Sequence, residues 1–473
     1  MKNNLFEEFS AVSKEGWILQ AVQDLKGKDF DQILTSKTLE GIKIQPFYTA
    51  EDKLSSNWLN EYRHRVNPSA EVPGLPPRIW SNVFPVQAGE EKVQNKEVLD
   101  ALMNGSDGLL LTLSGEEDLG LLLKEVMPQY IRIFVKATGD PVKLVQKLAD
   151  WVKANGWESD ALQGGLVWDG FSLMLEEKIG KQAIIETAKQ LLKAAASLSQ
   201  FKVFAIDGAR YHNSGADSVQ ELTYAFGAWI DLVDALTEDG INVDDLISKT
   251  FICTGVGSDY FMEMAKIRVA RILYHQLALG FGTQIMPEDI FVWAESSYWT
   301  KSKLDVYTNM LRNTSEGMAA ILGGCNALCL FAHDLANGEV QGSAKRMARN
   351  ISSILKEESY FDKVLDPLAG SYFIEHLIQE LFAASKSSLQ TLEAEGGWLK
   401  AYDSLNLQWS IKALRSKRME ALLEQKAVRV GVNKYQQKGE LDHLVEEKLQ
   451  EASWQLMPCR ESMRVEKITI QEV

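Results

Sequence analysis

The chain has 473 residues, of which 45% are apolar and 24% charged, so it can bury a large core and is typical of a globular protein. Its formal net charge of −15 argues against nucleic acids and anionic membranes as main partners, because both attract basic surfaces. No apolar run approaches 18 residues and the N-terminus lacks an apolar signal region, so we expect a cytoplasmic protein that does not cross a membrane.

The first predicted element is a short helix in an N-terminal arm. Ser13 is a typical helix N-cap in front of residues 14–17, and Gly27 is a typical stop signal after the helix. Residues 67–77 hold four prolines and one glycine, a composition typical of a linker.

Beyond the linker, apolar runs alternate with segments of helical periodicity. Runs without internal alternation that are separated by helices indicate a parallel sheet buried on both faces. Eight such runs fit a closed (β/α)8 TIM barrel better than an open doubly wound sheet, which remains the structural alternative. The predicted strands are 109–113, 131–135, 166–168, 203–206, 251–253, 290–293, 327–331 and 364–365, and the clearest predicted helices are 259–279, 306–321, 344–358 and 372–394.

The predicted organisation has three parts. Residues 1–66 form a helical arm and linker, residues 67–394 form the α/β barrel, and residues 395–473 form a helical C-terminal extension. The charged stretch 412–426 of the extension is typical of a solvated helix face.

Candidate catalytic residues are those that follow the strands, because barrels of this type carry their chemistry at the C-terminal ends of the strands. Tyr211 and His212 follow the strand 203–206 and resemble a general acid beside a hydrogen-bond partner. Asp169 is a candidate acid or base, although Asp-Gly is more typical of a turn. Glu295 is an isolated carboxylate with no His or Lys predictably opposite it. The residues alone therefore predict a barrel without a convincing catalytic set.

Metal and phosphate sites are not predicted. Glu116, Glu117 and Asp118 are a candidate cation cluster, but acidic residues are also typical of the first turn of a helix. Cys325, Cys329 and the nearby His333 lack metal-ligand spacing, and the four cysteines are expected to be buried thiols. The glycines around Val256 do not complete a dinucleotide fingerprint.

Several segments, in order from about residue 78 to 435, resemble the methylmalonyl-CoA mutase family of acyl-CoA mutases. The clearest is DPLAGSYFIE at 366–375, which is similar to the family signature DPLGGSY(Y/F)(V/I)E. The others are FMEMAKIRVAR at 261–271, GADSVQEL at 215–222, YTNMLRNT at 307–314, AAILGG at 319–324, ARN at 348–350 and EES at 357–359. The resemblance implies a barrel threaded by acyl-CoA and capped by adenosylcobalamin, which supplies the radical chemistry.

The chain departs from the family at the positions that carry the family's catalytic and substrate-contacting residues. Alignment from Gly215 places Ala209 and Arg210 where the family has its active-site Tyr-His, so Tyr211 lies two residues too far along, roughly 7 Å in an extended chain. Trp293 and Glu295 replace a substrate-contacting His and Gln, and Cys329 replaces a further His. The family segment PTMY, which supplies a catalytic tyrosine, has no counterpart before residues 77–80. We therefore expect no catalytic residue on this chain.

The cobalamin site is also expected to be missing. The family's ligand motif D-x-H-x-x-G does not occur, and only 38 residues follow Tyr435, whereas a flavodoxin-like domain needs more than 100. The resemblance thus implies no complete cobalamin-binding domain, and no cofactor or metal residue, on this chain.

The pattern resembles the small subunits of heterodimeric members of the family, which keep the barrel and lose the chemistry. The expectation is a structural subunit whose large partner binds adenosylcobalamin and interconverts methylmalonyl-CoA and succinyl-CoA, with the arm 1–50 on the partner. Trp168, Phe204 and Trp293 are expected to fill the lumen. One alternative is a catalytic barrel that works with a separate cobalamin-binding subunit. Another is a regulatory barrel that binds substrate through Arg210 or Glu295.

Overall fold

The computed structural model describes residues 12–52, 59, 62, 65, 76–338, 340–436 and 449–471. A barrel of parallel strands lies at its centre, and a two-stranded antiparallel hairpin (β1 and β2) belongs to the N-terminal arm. The strands are β1 Ser36–Lys37, β2 Lys43–Ile44, β3 Ser81–Val86, β4 Gly108–Leu113, β5 Arg132–Ala137, β6 Gly164–Leu166, β7 Phe201–Lys202, β8 Phe204–Asp207, β9 Thr250–Val256, β10 Val292–Ser296 and β11 Ala327–Cys329.

The nine strand segments form an eight-stranded barrel, because β7 and β8 are two parts of one strand that is interrupted at Val203. The strand order is β7-β6-β5-β4-β3-β11-β10-β9-β8. The segment β7 pairs with β6, and β8 pairs with β9, so the interrupted strand closes the barrel. The predicted TIM barrel is confirmed, and the open-sheet alternative is excluded.

Helices surround the barrel and continue into the C-terminal extension. Asp217 and Gln220 form a capping box at the start of the long helix Ser218–Glu238, as the sequence pattern of a helix start requires. No helix among the described residues has the length and apolar character that a membrane span needs. The α-helices that lie wholly within the described ranges are Lys14–Asp24, Phe30–Leu34, Glu91–Met103, Leu119–Leu122, Pro141–Ala154, Lys181–Ala194, Gly208–Asn213, Ser218–Glu238, Val243–Ser248, Tyr260–Gly280, Thr308–Gly323, Gly342–Glu357, Tyr372–Ala394, Gly397–Asp403, Asn406–Leu423 and Met463–Gln471.

One predicted strand is wrong and one strand was not predicted, although the count of eight is right. Residues 364–365 lie in a loop, and the first barrel strand is Ser81–Val86. That strand contains Pro85 and begins with two polar residues, which argue against a central strand in sequence. Each later strand therefore stands one position further round the barrel than predicted. The linker 67–77 falls almost wholly outside the described residues.

The N-terminal arm begins as predicted. The Ser13 hydroxyl caps the helix Lys14–Asp24 by accepting a hydrogen bond from the Gly16 amide at 3.1 Å. The arm is attached to the barrel body by an aromatic contact, with the ring of Tyr48 5.5 Å from that of Phe373. None of the helix Lys14–Asp24 is buried, so its outer face is free of the described body.

The lumen of the barrel is filled by its own side chains. Strand residues alternate between the lumen and the surrounding helix layer, as the two-residue period requires. The Trp293 indole is fully buried and meets the Phe134 ring edge-on at 4.4 Å between centroids, and Phe251 lies 5.9 Å from Phe134. The lumen cluster consists of Val83, Leu110, Phe134, Ala205, Phe251, Cys253, Trp293, Ala327 and Cys329.

A β-bulge at Val203 decides which aromatic residues enter the lumen. The amides of Val203 and Phe204 both donate to the Lys249 carbonyl oxygen, so two residues of one strand lie opposite a single residue of its neighbour. The alternation of side chains between the lumen and the helix layer therefore shifts by one residue at this point. Phe204 consequently packs outside the lumen against Trp168, at 5.9 Å between ring centroids. The expectation for Trp293 is right, and that for Trp168 and Phe204 is wrong.

Truncation of the lumen tryptophan should cost much of the stability. We expect Trp293→Ala to lower the free energy of unfolding by about 3–5 kcal/mol, because it leaves a large cavity in a packed core. Trp409, which is 63% exposed, provides the matched control, and Trp409→Ala should change stability by less than about 0.5 kcal/mol. Denaturant unfolding measures both, and equal losses in the two variants would contradict a filled lumen.

Candidate functional site

Arg210 dominates the C-terminal mouth of the barrel. It lies on the short helix Gly208–Asn213, which follows β8 directly and has Asp207 as its N-cap. Its guanidinium binds the Asp169 carboxylate through two nitrogens, with Nε–Oδ2 at 2.6 Å and Nη2–Oδ1 at 3.2 Å. Its Nη1 also lies 2.5 Å from Glu176 Oε1. Asp169, predicted as a turn residue or an acid, is therefore one half of a buried ion pair.

Burial and the neighbouring charges have opposite effects on the pKa values of Asp169 and Arg210. Burial raises the pKa of Asp169 to about 6 even though Arg210 acts to lower it, and burial also raises the pKa of Asp207. The carboxylates raise the pKa of Arg210 well above its ordinary value against the effect of burial. A guanidinium held in this way neither donates nor takes a proton during a reaction.

Tyr211 and His212 do not share a site. Tyr211 Oη lies 2.8 Å from Ser172 Oγ and accepts a hydrogen bond from Trp398 Nε1 at 2.9 Å, so it joins the barrel to the C-terminal extension. Its side chain is fully buried, and burial raises its pKa far above the ordinary value. His212 Nε2 instead lies 2.8 Å from Ser297 Oγ.

The His212 imidazole is enclosed and neutral. Burial, followed by the charge of Lys266, lowers its pKa to about 3, so the 3.4 Å approach of Nδ1 to Glu221 is not an ion pair at neutral pH. A Cβ atom at Gly255 or Gly257 would lie within 3 Å of the ring. The two glycines, which do not complete a dinucleotide fingerprint, therefore make room for this side chain.

Glu295 has a partner that the sequence did not predict. Lys136 Nζ, from β5 on the opposite side of the barrel, lies 3.3 Å from Glu295 Oε2. Burial acts to lower the pKa of Lys136, but Glu295 and Asp207 outweigh it and raise that pKa. The available signal was the position of Lys136 two residues after Phe134, which places both on the lumen side of β5.

A second buried charge group lies behind the mouth. Lys266 Nζ contacts Glu221 Oε2 at 2.5 Å and Glu263 Oε2 at 2.7 Å, and it donates to the Gly255 carbonyl oxygen at 2.6 Å. The three side chains come from two helices and were not singled out in sequence. Their mutual pairing makes them a structural network that joins the helices Ser218–Glu238 and Tyr260–Gly280.

The remaining candidates are accounted for by local structure. Glu117 accepts hydrogen bonds from the Ser114 and Gly115 amides, and Asp118 caps the helix Leu119–Leu122. Cys329 is buried in the lumen, where burial raises its pKa. Among the described residues, no group of three His, Cys, Asp or Glu side chains is arranged to hold a metal ion.

The C-terminal extension lies across part of the mouth. The amides of Leu456, Cys459 and Glu461 donate to the carbonyl oxygens of Leu175, Asn213 and Trp299, respectively. These acceptors belong to three segments that follow the barrel strands β6, β8 and β10. The chain therefore covers part of the face where barrels of this type carry their chemistry.

The fold and the site together define a TIM barrel with a packed lumen and a C-terminal mouth lined by ion pairs. A family model described as methylmalonyl-CoA mutase matches residues 104–460, which is most of the chain. The chain therefore belongs to the methylmalonyl-CoA mutase family.

The curated relatives include small subunits and single-chain mutases. The methylmalonyl-CoA mutase small subunit of Porphyromonas gingivalis is 29% identical over 92% of this chain and 71% of its own length. A probable small subunit from Mycobacterium bovis is 28% identical over 87% of this chain and 68% of its own length. The methylmalonyl-CoA mutase of Cereibacter sphaeroides is 28% identical, and the match covers 89% of this chain and 64% of that protein. The chain thus spans about two thirds of the length of these relatives.

The solved structures add little. Dihydropteroate synthase of Yersinia pestis matches with a TM-score of 0.31 and 11% identity, over 58% of this chain and 93% of that chain. A likeness this distant carries no argument about function.

The neutral His212 predicts a specific dependence of stability on pH. The unfolded chain takes up a proton on this histidine below a pKa of about 6.5, whereas the folded chain does not, so stability falls as the pH falls. Between pH 7.5 and pH 5 the wild-type protein should lose about 2 kcal/mol more than His212→Gln. Urea unfolding at the two pH values measures the difference, and an equal loss in both proteins would show that His212 is protonated in the folded state.

Removal of the Arg210 guanidinium should leave buried carboxylates without a cation. Arg210→Met is expected to cost about 3–5 kcal/mol, and a further Asp169→Asn substitution should regain part of that loss. Arg464 pairs with Glu420 at 3.2 Å on the surface and serves as the control, with an expected cost of Arg464→Met below about 1 kcal/mol. Thermal and urea unfolding give the comparison, and a loss that Asp169→Asn deepens would contradict the assigned pairing.

Proposed function

We propose that this chain is the non-catalytic small subunit of an adenosylcobalamin-dependent methylmalonyl-CoA mutase, an isomerase in which a large subunit carries the reaction. The large subunit would bind the cofactor and interconvert methylmalonyl-CoA and succinyl-CoA in the cytoplasm. The observation that carries the proposal is the filled lumen, where Trp293, Phe134 and Phe251 occupy the axis of the barrel.

The filled lumen argues against binding of an acyl-CoA along the barrel axis. Protein interiors pack at the density of organic crystals, so a chain of methylenes cannot enter without displacing side chains. Trp293 has no accessible surface, and its ring is held by Phe134 at 4.4 Å. Displacement of these rings would cost packing energy that an acyl chain of smaller area would not restore.

The mouth supports the same proposal. The sequence resemblance aligns Arg210 with an active-site residue of the family, and its guanidinium is occupied by Asp169 and Glu176. Glu295 is paired with Lys136. The regulatory alternative needs Arg210 or Glu295 free to bind a ligand, and both are engaged within the barrel. The catalytic alternative needs an acid–base pair, which Tyr211 and His212 do not form.

The N-terminal arm offers a surface for the partner subunit. Its helix Lys14–Asp24 has no buried residue, and apolar side chains on the arm are solvent-exposed. Exposed apolar groups clustered on one segment are typical of protein interfaces. The exposed apolar residues of the arm are Val12, Trp17, Leu19, Val22, Ile33 and Leu39.

Ligand titration separates the proposal from its alternatives. Calorimetric titration of the purified chain with methylmalonyl-CoA should give no saturable heat, and addition of adenosylcobalamin and a separate cobalamin-binding subunit should give no turnover. Turnover should appear when a catalytic large subunit is added, and the two chains should elute together in size-exclusion chromatography. Saturable binding to the chain alone, or turnover without a large subunit, would overturn the proposal.

A further inference from the structure

Three buried arginines converge on the C-terminal end of the helix Thr308–Gly323. They are Arg78, Arg268 and Arg271, whose exposed fractions are 2%, 8% and 3%. Each donates from Nη2 to backbone carbonyl oxygens within residues 321–325, at distances of 2.7 to 3.0 Å. Cations at this end of a helix are favourable, because its free carbonyl groups carry partial negative charge.

The positive charge of this arginine cluster exceeds the negative charge that it meets. Arg268 pairs with the Asp366 carboxylate through both terminal nitrogens, at 2.9 and 2.6 Å. Among the described residues, Arg78 and Arg271 bind only uncharged oxygens. Three guanidinium groups therefore face one carboxylate and a helix end that carries a charge of about −0.5.

Two further carboxylates lie near the cluster, and both are engaged elsewhere. Glu288 Oε2 lies 4.0 Å from Arg65 Nε, and Glu375 Oε1 accepts a hydrogen bond from the Gly370 amide at 2.9 Å. In the described part of the chain, neither forms an ion pair with the three arginines. The excess of positive charge is thus not removed by the neighbouring side chains.

Burial makes this excess costly. Burial, followed by the charge of Arg78, lowers the pKa of Arg271 to about 9, and burial lowers the pKa of Arg78 to about 10. Both guanidinium groups still hold their protons at neutral pH. The cluster therefore stays cationic, and an opposite charge placed beside it would stabilise it.

Hydrogen-bond donors of the cluster are also left over. Arg268 Nε and the Nε and Nη1 atoms of Arg78 are buried and have no acceptor among the described residues. Arg268 and Arg271 line a cavity of about 30 Å³, which exceeds the roughly 10–15 Å³ that one water molecule needs. A buried cationic donor beside a cavity of this size is suited to a small anion.

The rest of the lining limits the size and chemistry of that anion. Apart from Tyr62 and Glu375, the other lining residues are apolar, for example Ile272 and Ile378. A phosphate or carboxylate group needs several donors and more room, whereas a monatomic anion needs few donors and tolerates apolar neighbours.

We propose that this cavity binds a single halide ion, ordinarily chloride, between Arg268 and Arg271. The Arg268 Nε–H donates to the ion, and the Arg271 guanidinium supplies a second positive charge. The cavity lies between the helices Tyr260–Gly280 and Tyr372–Ala394, so the ion joins the two helices. An ion that binds only the folded chain raises its stability.

Anomalous scattering from bromide tests the site on the unaltered chain. Crystals of the full chain are grown in sodium bromide, and diffraction is measured at the bromine absorption edge. The proposal predicts an anomalous peak in the cavity, within hydrogen-bond distance of Arg268 Nε. Peaks on the surface only, with none in the cavity, would overturn the proposal.

Thermal unfolding gives the matching test in solution. Sodium chloride replaces sodium gluconate at constant ionic strength, because gluconate is too large for the cavity. The Tm should rise with chloride by on the order of 1–2 °C and then level off, as binding to a single site requires.

Two variants make the solution result specific. Arg268→Lys keeps a cation beside Asp366 but removes the Nε–H group, so it should abolish the rise in Tm with chloride. Arg464→Lys alters a surface arginine that pairs with Glu420 and should keep the rise. A wild-type Tm that is the same in both salts, or an equal rise in Arg268→Lys, would contradict the proposed site. If Arg268→Lys does not fold, the bromide map of the unaltered chain decides.

Discussion

The contact between Trp293 and Phe134 in the barrel axis is the constraint on which the rest of the structure depends. An eight-stranded barrel has an interior just wide enough for side chains, so one indole and its aromatic neighbours fill it. Once they are in place, a ligand cannot pass from one mouth to the other. The two mouths therefore become separate surfaces.

The C-terminal mouth is lined by charge pairs instead of reactive groups. Arg210 satisfies Asp169 and Glu176, Lys136 satisfies Glu295, and His212 stays neutral beneath its glycine neighbours. Each pairing removes a group that could otherwise move a proton. Because a buried charge without a partner is costly, these pairs hold one another in place, and the mouth tolerates single changes poorly.

The architecture was largely predictable from the sequence, because parallel strands buried on both faces leave continuous apolar runs. The strand Ser81–Val86 escaped prediction because Pro85 and two polar residues hide its pattern, and the bulge at Val203 hid the true orientation of Phe204. The resemblance to the family pointed to Arg210. The contacts of Arg210 with Asp169 and Glu176, and that of Lys136 with Glu295, join residues 34 to 159 positions apart. The alternation along β5 places Lys136 in the lumen, but no local pattern indicates which residue it contacts there.

The central claim is that this barrel holds no substrate and supports a partner that does. The most direct test is the stoichiometry of acyl-CoA binding to the complex of this chain with a catalytic large subunit. Equilibrium dialysis with a non-reactive methylmalonyl-CoA analogue should give one bound ligand for each pair of subunits. Two bound ligands for each pair would contradict the account, because the second would have to lie in a barrel whose axis Trp293 and Phe134 fill.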